Sequence, residues 1–298
     1  MKMNLKHTII AVLAAAAFIP VTAQEQVKAE IRKGNAYQPE TYSMMLSLPV
    51  SNRHNTYKLF LGSKKPIGEK PPQTVFSVDN EKRASFTSLV TWLKIKVNGI
   101  DFSRLPIQKE NVNLWQDGEK KGFEFALNFD GAKMLLRLYM RPDSGVLWGE
   151  LQPAQDTLEP VKTASISFAC LPSLLAMKDK KVLFHNVYNH EAKSPAKIYK
   201  QHPQGQTITA ADKYFIFYDT QFDGSSDDKG IGPCMVIADT DIMQSGKLHQ
   251  PNAWVVTVDY TLKPDFKTFR FGIWQKNSRI SNADFFKMLE TEKTAFSL

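Results

Sequence analysis

The sequence predicts an all-β protein: a single large antiparallel β-sandwich of the jelly-roll or supersandwich type, with a short C-terminal helix. Apolar residues recur at every second position in many short segments, which is the period of a half-buried strand. Turn dipeptides such as Asn98-Gly99 and Asp130-Gly131 lie between neighbouring segments. The long helical patterns that a parallel sheet needs between its strands are absent from the sequence.

The first 23 residues have the layout of a cleavable export signal. Lys2 and Lys6 precede an apolar run over residues 9–21, and Val21-Thr22-Ala23 fits the small-x-small rule for cleavage. The run is shorter than the roughly 20 residues that span a bilayer, so we predict cleavage rather than a membrane anchor. The expected location is periplasmic or secreted, with no transmembrane segment after cleavage.

Residues 24–298 are long enough to bury the core of one large β domain. The content of 43% apolar and 11% aromatic residues excludes a disordered chain. Proline and charge are enriched over residues 152–160, which is the candidate for an internal boundary. The predicted strands on either side are short and need partners, so we expect one continuous sandwich.

The charge of the mature chain is mildly basic. The leader holds two of the 38 Lys and Arg and none of the 30 Asp and Glu, which leaves a net charge of +6. This balance is compatible with an acidic polysaccharide or an anionic surface as a partner. Basic and acidic residues are interleaved, without zinc-finger spacing or a basic helix, so nucleic acid is not an expected partner.

A hairpin is the clearest local structure. Apolar residues alternate over 123–129, Asp130-Gly131 supplies a two-residue turn, and alternation resumes over 134–140. A helix is predicted after Ser281, a capping residue followed three positions later by Asp284. The same reasoning predicts further strands at 42–48, 57–61, 74–78, 89–97, 100–102, 146–151, 161–169, 213–219, 234–239, 253–260 and 268–275.

A cluster of polar residues supplies catalytic candidates. His185, Tyr188 and His190 fall close together, and Lys193 follows them. These side chains could supply a general acid, a general base and a cation that stabilises negative charge, which is the chemistry of a lyase or an epimerase. The spacing fits neither one helix face nor one strand face, so we predict a loop. Ordinary surface histidines, or imidazole ligands of a metal, are the alternatives.

Substrate-binding candidates are Trp115, Glu191 and Lys197. Trp115 lies between polar residues just before Asp117-Gly118, in a predicted turn. A tryptophan in such a place can stack on the apolar face of a sugar ring. Packing into the core from a loop is the alternative interpretation.

An acidic loop follows the predicted strand at 213–219. Its carboxylates are spaced around Gly224, as oxygen ligands of a hard cation are. Gly230 stands where an EF-hand has its bidentate Glu, and no helix is predicted beside the loop, so only an irregular Ca²⁺ site is predicted. A solvated turn is the alternative, and no other cofactor is required. The candidate ligands are Asp219, Asp223, Asp227 and Asp228.

Cys170 and Cys234 are the two cysteines of the chain. In an oxidising compartment they could form a disulfide. Each also continues the apolar face of a predicted strand, so two small buried hydrophobic residues are the alternative. The sequence leaves both interpretations open.

Export, a strand-built scaffold and the His, Tyr, Trp and Lys residues of its loops together predict a protein that binds carbohydrate. Such a protein could also process a polysaccharide as a lyase, an epimerase or a hydrolase. The alternative is a non-catalytic envelope or adhesion module whose loops bind a protein or a surface polymer. No motif decides whether the chain is an enzyme, and the oligomeric state is not indicated.

Overall fold

The structure is a computed structural model of the chain. It describes residues 28–29, 42–64, 73–79, 92–106, 109–170, 172, 177–178, 181–182, 190–200, 204–225, 231–252, 255–276 and 278–298. The predicted antiparallel β-sandwich with a short C-terminal helix is confirmed within these ranges.

Four strands form an N-terminal sheet in the order β1-β2-β3-β4 among the described residues: β1 (Lys28–Ala29), β2 (Tyr42–Ser51), β3 (Thr56–Lys64) and β4 (Gln73–Asp79). The later strands are, in chain order, β5 (Leu93–Val97), β6 (Ile100–Asp101), β7 (Val112–Asp117), β8 (Lys120–Phe129), β9 (Ala132–Met140), β10 (Leu147–Pro153), β11 (Ala164–Cys170), β12 (Met177–Lys178), β13 (Lys181–Val182), β14 (His190–Lys193), β15 (Ile198–Tyr199), β16 (Gln206–Ile208), β17 (Tyr214–Asp219), β18 (Cys234–Ala238), β19 (Met243–Asn252), β20 (Val255–Leu262) and β21 (Phe269–Gln275).

Two large antiparallel sheets hold most of these strands. In the described part of the chain, the nine-stranded sheet has the order β15-β14-β17-β18-β21-β10-β9-β8-β7, and the six-stranded sheet has the order β16-β19-β20-β11-β5-β6. Strands β12 and β13 pair only with each other there. Segment 152–160 leads from β10 in one large sheet towards β11 in the other.

The turns at Asn98-Gly99 and Asp130-Gly131 have the geometry that the sequence predicts. All four residues have positive φ, at 49° and 83° in the first turn and 53° and 90° in the second. This is the type I′ conformation, whose twist matches that of the flanking strands. The two-residue turn sets the register of β8 against β9, so Glu124 lies opposite Arg137.

The inner faces of the sheets pack into a common core. Phe168 of the six-stranded sheet contacts Phe271 of the nine-stranded sheet, with ring centroids 5.0 Å apart. Phe76 of the N-terminal sheet contacts Phe125 of β8 at 5.5 Å, so the N-terminal sheet packs on the same inner face. Burial of such aromatic side chains is the main favourable contribution to folding here.

The helix α1 (Asn282–Thr291) packs on the outer face of the nine-stranded sheet. Ser281 caps it as predicted, because its Oγ accepts a hydrogen bond from the Asp284 amide. Phe285 is fully buried against Trp274, with ring centroids 4.9 Å apart. Among the described residues no helix has the length and apolar character needed to cross a bilayer.

Candidate functional site

The outer face of the nine-stranded sheet carries two parallel rows of side chains beyond the area that α1 covers. In the first row, Trp115, Gly122, Tyr139 and Trp148 lie in register on four neighbouring strands. In the second row, Glu124, Arg137, Glu150 and Arg270 lie in register in the same way. We call the outward side chains of this area the Trp115 platform, which consists of Trp115, Glu124, Arg137, Tyr139, Glu150 and Arg270.

Trp115 lies in the edge strand β7, so the prediction that it sits in a turn is wrong. Trp115 is part of a strand because β7 pairs with β8, where Trp115 lies opposite Gly122. The sequence did not predict this strand, because the residues around Trp115 are polar and show no apolar alternation. The half-buried indole ring reaches Tyr139 two strands away, with ring centroids 5.0 Å apart. The guanidinium of Arg137 lies 5.3 Å from the indole centroid, which is a cation–π contact. Two neighbours therefore fix the orientation of the ring.

Arg137 is the centre of the charged row. Its Nε donates a hydrogen bond of 2.7 Å to Oε2 of Glu124, and its Nη1 lies 3.9 Å from Oε2 of Glu150. The hydroxyl of Tyr139 donates to Oε1 of Glu150 at 3.0 Å. Burial and the Glu150 carboxylate raise the pKa of Tyr139, so the phenol stays protonated and remains a donor.

Arg270 ends the row and is its most accessible charge. Its Nε lies 3.9 Å from Oε1 of Glu150, and its side chain is 59% exposed, against 15% for Glu150. Fixed carboxylates thus alternate with guanidinium groups beside a half-buried aromatic ring. Such an arrangement can accept and donate several hydrogen bonds to one flat, hydroxyl-rich ligand.

The C-terminal segment borders the platform on one side. Phe296 packs against Trp274 with ring centroids 5.8 Å apart, and the backbone oxygen of Ser297 accepts a hydrogen bond from Arg141. The guanidinium of Arg141 in turn lies 4.0 Å from the ring centroid of Trp148. These contacts cover Trp148, so Trp115 is the half-buried tryptophan that the platform presents.

A groove of about 450 Å³ opens at the end of the sheet beside Trp115. It lies between the β7–β8 turn and the β2–β3 turn, and its lining includes Gln116, Lys121 and Met140, which lie in register on the sheet face opposite to Trp115. Its polar lining is Ser51, Asn52, Gln116, Glu119, Lys121 and Arg141. The groove is therefore separate from the platform.

His190 begins strand β14 and is 2% exposed, so its predicted place in a surface loop is wrong. It faces the interior of the sandwich, where Gln250 Nε2 lies 3.5 Å from its Nδ1. Burial lowers its pKa to about 4, so the imidazole is neutral near pH 7. The two other members of the predicted catalytic cluster, His185 and Tyr188, lie outside the described residues.

Lys193 and Glu191 lie on the opposite face of β14 from His190, because successive strand residues point to opposite sides. Glu191 accepts a hydrogen bond of 2.6 Å from the Tyr218 hydroxyl, and the Lys193 ammonium lies 4.8 Å from the ring centroid of Phe286 in α1. Both contacts hold these side chains against their own sheet. The strand therefore separates His190 from the lysine that was predicted to assist it.

The predicted substrate-binding residues lie towards opposite ends of the nine-stranded sheet. Trp115 is in β7 and Glu191 is in β14, seven places apart in the strand order. At about 4.8 Å per strand this is a separation of roughly 34 Å. Lys197 lies near Glu191, before β15, where its ammonium is 4.4 Å from the ring centroid of Tyr199. Trp115 therefore shares no site with the other two.

The acidic loop uses the described carboxylates to stabilise turns. Oδ1 of Asp219 accepts the Gln221 amide at 3.0 Å, and Oδ1 of Asp223 accepts the Ser225 amide at 2.7 Å. Asp227 and Asp228 lie outside the described residues. Within the described ranges, no three His, Cys, Asp or Glu side chains gather closely enough to hold a metal ion. The Ca²⁺ site stays a prediction.

Sequence reasoning missed the charged row. The register of the Asp130-Gly131 hairpin was sufficient to place Glu124 opposite Arg137 and Gly122 opposite Tyr139. The hairpin register does not place Arg270 opposite Glu150, because Arg270 belongs to β21, a strand that comes much later in the chain than β10.

No protein-family model and no curated protein matches the chain. Solved structures of the alpha-N-acetylgalactosaminidase NagBb from Bifidobacterium bifidum are similar to part of it. The ligand-free form has 10% sequence identity and a TM-score of 0.45, and the match covers 82% of this chain and 38% of that chain. The complex with Gal-NHAc-DNJ has 11% identity and a TM-score of 0.45 over 83% and 38% of the two chains. This chain thus spans less than half of the enzyme's length, and the similarity assigns no site.

Proposed function

We propose that this protein binds a carbohydrate on the Trp115 platform. The observation that carries the proposal is the half-buried indole ring of Trp115, held by Tyr139 and Arg137 beside a row of fixed carboxylates and guanidinium groups. Sugar rings present apolar C–H faces and a rim of hydroxyl groups. An oriented aromatic ring with charged hydrogen-bonding groups next to it complements both parts.

Four residues of the platform contact the ligand directly in this proposal. Trp115 stacks on one face of a sugar ring. The free lone pairs of Glu124 and Glu150 accept hydrogen bonds from sugar hydroxyls, and the exposed guanidinium of Arg270 donates to hydroxyl or carboxylate oxygens. Existing ion pairs hold Glu124 and Glu150 before the ligand arrives, so little conformational entropy is lost on binding.

The platform favours binding over catalysis. Arg137 contacts Glu124 and Glu150 alike, so both carboxylates are engaged in ion pairs within the charged row. A glycosidase instead needs two carboxyl groups that are free to flank the scissile bond. We therefore propose a binding module that works in the periplasm or outside the cell, and a lyase, epimerase or hydrolase activity would need residues other than these carboxylates.

Affinity electrophoresis of the full mature chain tests the proposal. The gels contain neutral glucan, xylan, galactan or a uronate polymer, and we expect at least one of them to retard the protein. Trp115→Ala should abolish the retardation. Leu114→Ala is the matched control, because Leu114 is 50% exposed in the same strand but faces the other side of the sheet. Equal retardation of Trp115→Ala and wild type, or no retardation by any of the polymers, would contradict the proposal.

A further inference from the structure

The two cysteines of the chain lie in facing sheets of the sandwich. Cys170 is the last residue of β11 in the six-stranded sheet, and Cys234 is the first residue of β18 in the nine-stranded sheet. Both are fully buried, and both are free thiols in the structure. Strands about 64 residues apart in the sequence therefore place both cysteines in one core cluster.

The two side chains are neighbours in one buried core cluster, where burial and then the Cys234 side chain raise the pKa of the Cys170 thiol. The two sheets are closely packed there, as the 5.0 Å contact shows between Phe168 of β11 and Phe271 of β21, the strand next to β18. Because a disulfide needs Cβ atoms about 3.8 Å apart, two neighbouring buried cysteines on facing sheets are suited to form one.

We propose that Cys170 and Cys234 form a disulfide that joins the two sheets, that it forms before the sandwich closes, and that the closed sandwich then protects it. The two thiols together release two protons and two electrons. The electrons reduce the disulfide of an oxidant, such as glutathione disulfide or a dithiol oxidase, to two thiols. The S–S bond of the oxidant breaks and the bond between Cys170 and Cys234 forms.

Burial explains why formation comes before closure. Thiol–disulfide exchange requires a thiolate and an approach for the attacking group. Neither sulfur is accessible to solvent in the folded protein, and burial raises the pKa of the Cys170 thiol, which disfavours its thiolate. The folded thiol form and the folded disulfide form therefore do not interconvert without opening, and the pair is a structural bond rather than a redox switch.

Refolding of the full chain tests this inference. The reduced, urea-unfolded protein is refolded in a mixture of reduced and oxidised glutathione, and thiols are then counted with a chromogenic disulfide reagent in denaturant. We expect no free thiols in the monomer, and two after dithiothreitol. Two free thiols, or one glutathione adduct on each cysteine, would overturn the inference.

A second arm tests the order of events. Protein refolded without oxidant is exposed to the same glutathione mixture while native, and oxidation should be more than about 100-fold slower than in the unfolded chain. Oxidation of the native protein at the unfolded rate would overturn the claim of protection. Cys170→Ala is the control for mixed disulfides, and if the reduced chain does not fold, the thiol count after oxidative refolding still decides whether the bond exists.

Discussion

The indole ring of Trp115 and the phenol ring of Tyr139 lie 5.0 Å apart although a whole strand runs between their own strands. The residue in register between them is Gly122, which has no side chain to separate the two rings. An aromatic residue that crosses a strand glycine in this way protects the backbone there and fixes its own orientation. The contact between Trp115 and Tyr139 therefore depends on Gly122, although Gly122 has no side chain.

We expect Gly122→Ala to destabilise the protein and to weaken ligand binding together. An added Cβ would lie 2.6 Å from Cα of Tyr139, so β8 and β9 would have to move apart. Forced shifts of this kind cost about 1–3 kcal/mol of unfolding free energy. Urea unfolding measures the loss, and Ala126→Ser on the exposed side of the same strand is the control, expected to stay within about 0.5 kcal/mol. Wild-type stability in Gly122→Ala would show that the close contact is not needed.

Arg137→Met should lower the unfolding free energy by about 2 kcal/mol, because it leaves the largely buried carboxylates of Glu124 and Glu150 without their shared cation. Lys133→Met is the matched control in the same strand. Its ion pair with Asp156 is exposed, so the expected loss is much smaller than that of Arg137→Met. Chemical denaturation of both variants gives the comparison, and equal losses would mean that the charged row is not coupled.

The stability of the protein should fall as the pH drops from 7 to 5, in part because of His190. Burial lowers its pKa in the folded state to about 4, whereas the unfolded value is about 6.5. The unfolded state therefore binds more protons in this interval, and His190 contributes a loss of about 2 kcal/mol. His190→Gln removes the titrating group, so its unfolding free energy should change with pH by that much less. Parallel pH profiles of the variant and the wild type would contradict the burial of His190.

Local alternation and turn chemistry were sufficient to predict much of the fold. The strands on either side of Asp130-Gly131 and the helix after Ser281 follow from side-chain period, positive φ and capping, which all act within a few residues. The edge strand β7 and the strand β19 were missed, because Val112–Asp117 and Met243–Asn252 contain no apolar alternation. These two strands form because they pair with neighbouring strands, and the spacing of apolar residues in a segment does not show which strands will pair with it.

The candidate site was predictable only in part. Trp115 was identified by its type and polar surroundings, although its strand was not. His190 was placed in a loop because the spacing of its cluster fits neither one helix face nor one strand face, whereas the structure puts it at the start of β14 with its imidazole in the core. The separation of Trp115 from Glu191 follows from a strand order that connects residues far apart in the chain. Topology of this kind does not follow from local patterns.

The indole N–H signals of the five tryptophans give the most direct test of carbohydrate binding at Trp115. Protein labelled with ¹⁵N at tryptophan is titrated with an oligosaccharide of the polymer that retards it in electrophoresis, and Trp115→Phe assigns the Trp115 signal. We predict that this signal shifts progressively to saturation, while the signal of the fully buried Trp92 does not move. A Trp115 signal that stays in place while the oligosaccharide binds would contradict the account.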